Sequence, residues 1–181
     1  MDARSEMELT GGGDTLLHYH LQDRGPFPIP CASFYDTTTQ TAASTTTAYP
    51  ITCDTEVYNT LFNQDGSKFY ARTAGIFNIQ FSCQLTNTDT HAHDFEIWLK
   101  VNGSNVAESG SIVDVPASHG GGPGHIVAAW NFFQRLDVGD YFEMYWCASS
   151  TTVSLPHRAA TTNPTRPSVP SVILTAHMVS I

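Results

Sequence analysis

The sequence predicts an all-β fold, a sandwich or barrel of short strands. Three observations carry this reading. Apolar and polar residues alternate with a period of two in several segments, and turn signals fall between those segments. No stretch of about ten residues shows the 3.6-residue periodicity of an amphipathic helix. Many short strands divided by turns build two packed sheets or a closed barrel.

The elements follow in order. Residues 75–85 place Phe77, Ile79, Phe81, Cys83 and Leu85 on one face, with Asn78, Gln80, Ser82 and Gln84 on the other. Phe95, Ile97, Leu99 and Val101 repeat the pattern against Asp94, Glu96, Trp98 and Lys100. Asn102 and Gly103 follow at once, a strong signal for a two-residue hairpin turn. Residues 126–133 are apolar on both faces apart from Asn131, which predicts a strand covered on both sides. Asp137-Val-Gly-Asp140 makes a turn. In residues 141–147, Phe142, Met144 and Trp146 then oppose Tyr141, Glu143 and Tyr145. Residues 172–181 form a last apolar strand without a charged tail, predicted to lie inside a sheet.

The first thirty residues differ. Gly11, Gly12 and Gly13 make a hinge, and Pro26, Pro28 and Pro30 alternate with Phe27 and Ile29 in an extended path that lacks three backbone donors. This stretch reads as an arm, with Leu16, Leu17, Tyr19, Leu21, Phe27 and Ile29 as the apolar residues that would pack across a subunit boundary. Residues 36–48 are rich in Thr and read as an exposed, extended connector or edge segment. The predicted division is therefore an arm and connector over residues 1–48 and a strand-rich domain over residues 49–181.

Composition narrows the function. Charged residues make up only 14% of the chain, against roughly 25% in an ordinary soluble protein. A charge-poor surface is one that neighbours cover. The net charge of −9 and the scattered Lys and Arg speak against a direct nucleic-acid partner. No apolar run reaches the roughly 20 residues that span a membrane, and residues 1–9 do not read as a signal peptide. Cys31, Cys53, Cys83 and Cys147 have neither paired nor zinc-motif spacing, so four reduced thiols without a disulfide are expected.

Two segments, Gly75-Ile-Phe-Asn-Ile-Gln-Phe-Ser and Leu136-Asp-Val-Gly-Asp-Tyr-Phe-Glu, with the terminal apolar strand, resemble the C1q/tumour-necrosis-factor-like jelly roll. More narrowly, Ala32-Ser-Phe-Tyr-Asp-Thr-Thr-Thr-Gln-Thr, Ile97-Trp-Leu-Lys-Val-Asn-Gly, Val127-Ala-Ala-Trp-Asn-Phe-Phe and Arg166-Pro-Ser-Val-Pro-Ser-Val-Ile-Leu-Thr are similar to a module of tailed-phage virion proteins, over roughly residues 31–181. The resemblance implies jelly-roll subunits of roughly ten strands packed as a homotrimer, which with the arm read above gives an all-β jelly-roll sandwich with an extended N-terminal arm.

Candidate sites are few. Trp98, Trp130 and Tyr145 put large aromatics on strand faces, as association surfaces do. His91 and His93, beside Asp89 and Asp94, have the spacing of a metal-binding pair but no third spaced ligand; the competing reading is a polar loop tip. Ser118-His119-Gly120-Gly121-Gly122-Pro123-Gly124-His125 lacks the residues of a phosphate loop or a nucleophile elbow. His119, Gly120, Gly121, Gly122, Pro123 and His125 read as a partner-contact loop, the alternative being a mobile hairpin connection. No nucleophile, base or carboxylate pair emerges, so no catalytic residue, enzyme activity or cofactor is expected. The expected role is a bacteriophage virion protein, first a capsid decoration (cement) protein on the major capsid protein. The alternative is a tail-fibre or receptor-binding tip that binds host surface glycans.

Overall fold

The computed structural model describes residues 30–60 and 62–181. The predicted arm, with Leu16, Leu17, Tyr19, Leu21, Phe27 and Ile29, lies outside the described residues. Every regular element among the described residues is a strand. The chain opens with β1 (Cys31–Asp36), β2 (Gln40–Thr41), β3 (Tyr49–Pro50), β4 (Thr55–Asn59), β5 (Phe62–Asp65) and β6 (Lys68–Ala71). It continues through β7 (Gly75–Asn87), β8 (His93–Val101), β9 (Ser104–Asn105), β10 (Ser111–Val115), β11 (Gly124–Leu136) and β12 (Tyr141–Ala148). It closes with β13 (Val153–Leu155), β14 (Thr161–Thr162), β15 (Thr165–Arg166) and β16 (Val172–Ser180).

These strands make two seven-stranded antiparallel sheets. The first runs β4-β1-β16-β7-β11, with β13 and then β2 continuing beside the far end of β7. The second runs β5-β6-β12-β8-β10, with β3 beside β12 and β9 beside β8. The pairing is nested: β8 with β10, then β7 with β11, then β6 with β12, then β1 with β16. Early strands thus pair with late ones in reverse order. The terminal strand β16 sits between β7 and β1, inside its sheet as the sequence predicts.

The core is the space between the sheets. Phe77, Ile79, Phe81, Cys83 and Leu85 of β7 face Phe95, Ile97 and Leu99 of β8 and Phe142, Met144 and Trp146 of β12, and all are buried. Burying each such large side chain contributes roughly 1.5–3 kcal/mol before ordering costs. Across the layers Phe34 lies 4.9 Å from Phe69 and Phe62 meets Phe77 edge-on at 5.1 Å, while within the second sheet Phe69 stacks on Phe142 at 5.1 Å. Asn102 (φ 51°) and Gly103 (φ 79°) form the tight β8–β9 turn. Two successive positive φ angles favour this Asn-Gly pair.

Two readings of the sequence need correction. The line between connector and domain at 48/49 is too late. β1 pairs on both sides, with β16 and β4, and buries Ala32 and Phe34. Its third inward residue is Asp36, only 1% exposed. Asp36 Oδ1 accepts from the Thr38 N–H (2.7 Å) and Thr38 Oγ1 (2.6 Å), and Oδ2 accepts from Thr52 Oγ1 (3.2 Å). Ser171 Oγ also approaches Oδ1 at 3.4 Å. The start of the Thr-rich stretch is therefore folded around a buried carboxylate, while residues 45–48 are exposed. The second correction concerns β11. It pairs with β7 alone and is an edge strand, with Ile126, Val127 and Phe133 exposed at 37%, 52% and 66%.

All four cysteines are free thiols. Burial, with Asp36 and Asp54 nearby, pushes the Cys53 thiol up to about 12, and complete burial pushes Cys83 up as well. Thiolate is the reactive form. In the native protein Cys53 and Cys83 therefore stay unmodified by a maleimide over the time in which partly exposed Cys147 reacts. Peptide mass mapping checks this, and modification of all four at one rate would contradict it.

Candidate interaction surfaces

The outer face of the first sheet is almost free of charge. Along β11 it presents Val127, Ala129, Asn131 and Phe133, and along β7 the paired Gln84, Ser82, Gln80 and Asn78. β16 adds Ile173, Thr175 and His177, and β1 adds Tyr35, Ser33 and Cys31. At the outward-facing positions of these four strands no carboxylate or Lys appears, and Arg135 stands at one margin. Ile173 is 42% exposed at the centre of this face. Asn131 Nδ2 donates to Asn78 Oδ1 at 3.0 Å, so these two amides hold each other.

β11 adds a second property to the surface. All 13 of its residues pair with β7, and its other edge has no strand partner among the described residues. Soluble proteins protect long edges with Lys, Pro or bulges, because an open edge invites another chain. β11 has none of these, and its register with β7 is unbroken. Trp130, on its inner side, packs edge-on against Phe81 at 4.6 Å and has a buried indole N–H without a hydrogen-bond partner.

The predicted interface aromatics do not form one surface. Trp130 belongs to the edge of the first sheet, while Trp98 and Tyr145 face each other across β8 and β12 on the outside of the second. The Trp98 and Tyr145 rings are 6.2 Å apart, and Trp98 Nε1 donates to Asn105 Oδ1 at 3.0 Å. Lys100 Nζ sits 3.8 Å from the centre of the Tyr145 ring, a cation–π contact that covers it. Beside Trp98 an open groove of about 510 Å³ is lined by Glu96, Asn105, Val106, Ser111 and Ile112.

His91 and His93 converge on Asp89, with His93 Nε2 2.8 Å from Oδ2 and His91 Nδ1 3.6 Å from Oδ1. Among the described residues no group of three or more His, Cys, Asp and Glu is placed to hold a metal ion. The His93 hydrogen bond, then the Thr90 N–H, hold the Asp89 carboxyl down at about 2, below its ordinary 3.8. A depressed carboxylate stabilises the folded state above the ordinary value and loses that contribution as pH falls towards 2. The 88–93 loop accordingly loosens between about pH 4 and pH 2, read as faster amide exchange there. Asp89→Asn, which cannot ionise, should abolish this acid step; an unchanged step would contradict the assignment.

The glycine-rich loop is a defined turn. His119 and Gly122 exchange backbone hydrogen bonds of 2.9 and 3.1 Å around Gly120 (φ 60°) and Gly121 (φ 82°). A Cβ on Gly124 would lie 1.9 Å from the Pro116 carbonyl oxygen, so this position accepts only glycine. His119, Gly120, Gly121, Pro123 and His125 are exposed.

One feature escaped the sequence reading. Arg158 and Val169 exchange backbone hydrogen bonds of 2.9 and 2.8 Å at the base of a hairpin that carries β14 and β15. The Asn163-Pro164 turn signal at its tip could have revealed it. Arg158 Nη2 lies 2.7 Å from His125 Nε2 and 3.1 Å from Nδ1, which joins the hairpin to the start of β11. Between them is an open groove of about 460 Å³. No family model and no curated protein matches the chain.

Proposed function

We propose that the chain is a structural protein of a bacteriophage particle: a jelly-roll subunit that trimerises and serves as a capsid decoration protein, clamping neighbouring capsid subunits. The observation that carries this reading is the nearly charge-free outer face of the first sheet, continuous with the unprotected edge of β11. A second copy is its fitting occupant, because a face with no carboxylate or Lys of its own offers little to a charged partner. The nested pairing of β1 with β16, β6 with β12, β7 with β11 and β8 with β10 supports the jelly-roll assignment. The similarity to virion modules supports the phage setting, and the Gly and Pro pattern of residues 1–30 supports an arm that ties subunits together.

The reading is tested by the copy number of the protein per purified virion. A decoration protein is present on the order of hundreds of copies, as the symmetry of a capsid lattice demands. A few to some tens of copies would overturn the capsid role in favour of the tail. That second reading, a tail-fibre tip binding host surface glycans, is favoured by the groove beside Trp98. There an aromatic ring and the polar groups of Glu96 and Asn105 converge as sugar sites require.

A further inference from the structure

We propose that the groove between the 158–169 hairpin and the start of β11 seats the acidic N-terminal segment of this same chain, residues 5–9, in its own subunit or an adjoining copy. The proposal rests on the reading of residues 1–30 as an anchoring arm and gives that arm an address.

The groove is a local exception in an acidic protein. Arg158, Arg166 and His125 line it together with apolar Leu85, Ile126, Val127, Pro156 and Val169. No carboxylate lines it. Among the described residues neither arginine has an ion-pair partner, whereas Arg135 pairs with Asp137 and Lys68 and Lys100 lie against tyrosine rings. The Arg158 guanidinium is held by the His125 ring, whose nitrogen accepts from it, and the rest of its planar fork remains available to a carboxylate.

The N-terminal segment has the matching pattern. Residues 1–29 carry Asp2, Glu6, Glu8, Asp14 and Asp23 against only Arg4 and Arg24. Glu6-Met7-Glu8-Leu9 alternates, so an extended chain sets two carboxylates on one side and two apolar side chains on the other. The groove offers guanidinium groups to the first and apolar side chains to the second. The reach is sufficient. Pro30 accepts from the Met178 N–H beside Phe77, and the groove begins near Gln84 on the same strand, about 25 Å further along. Residues 9–30 can span about 70 Å when extended.

The test is a charge swap in the full-length protein, read by chymotryptic cleavage at Met7, Leu9 and Tyr19 under native conditions. Arg158→Glu with Arg166→Glu, or Glu6→Arg with Glu8→Arg, should each speed cleavage about tenfold. Combining all four should restore it to within about twofold of the wild type, because the pairs re-form with opposite sign. Equal cleavage in all four proteins, or a combined variant cut as fast as the singles, overturns the proposal. If the swap has no effect while deletion of residues 2–30 still weakens attachment to particles, the arm reading stands and only its address is wrong. If Arg158→Glu with Arg166→Glu weakens attachment with cleavage unchanged, the groove takes the carboxylates of another protein, and the proposal is likewise overturned.

Discussion

Asp36→Ala lowers the stability of the fold by about 1–3 kcal/mol, with the urea midpoint falling and the m value unchanged. The magnitude follows from what the carboxylate holds. The Thr38 N–H, the Thr38 hydroxyl, the Thr52 hydroxyl and, more distantly, the Ser171 hydroxyl converge on it at the buried end of β1. Each donor left without an acceptor costs about 1–3 kcal/mol, reduced where a hydroxyl can turn to another partner. Asp36→Asn keeps one oxygen acceptor and should cost about half as much. Loss of this knot releases the turn after β1 and the segment around Thr52 together, so amide protection should fall at both. A change under about 0.5 kcal/mol, the scale of a plain surface substitution, would show that the cluster holds nothing.

Val127→Asp with Phe133→Asp leaves the subunit folded and weakens its self-association at least a thousandfold, on the order of 4 kcal/mol. Both side chains point away from the core and are more than half exposed in the single chain. The fold does not depend on them, while an interface between copies would bury them. Two apolar side chains would then be lost from the contact, each contributing roughly 1.5–3 kcal/mol when fully buried, and two carboxylates would have to be desolvated instead. Val138→Asp is the control: Val138 is 68% exposed but lies in the Asp137–Asp140 turn, so association should not change. Equal association of the double variant and the wild type would remove this face from the interface.

The parts of the fold that were legible in the sequence are those whose cover comes from their own chain. β7, β8 and β12 alternate because one side of each faces the opposite sheet, and the Asn102-Gly103 turn is written in two residues. β1 was misplaced because its third inward position is Asp36, which breaks the apolar alternation, and because a Thr-rich run follows it. Strands as short as β2, β13, β14 and β15 have too few residues to show any period. β11 was misread for a more informative reason. An apolar pattern predicts cover on both faces but does not say from which molecule, and among the described residues of this chain the outer face of β11 has no cover. The pairing of Trp98 with Tyr145, and the meeting of His125 with Arg158, join residues far apart in the sequence. Spacing along the chain does not reveal such meetings.

The central claim is that copies of this chain cover the outer face of its first sheet. Native mass spectrometry of the full-length protein at micromolar concentration tests it most directly. The account predicts a dominant species of three times 19.8 kDa that falls to a single 19.8 kDa subunit on Val127→Asp with Phe133→Asp. A wild-type protein that remains a 19.8 kDa monomer, with Val127 and Phe133 still exposed on the assembled particle, would contradict it.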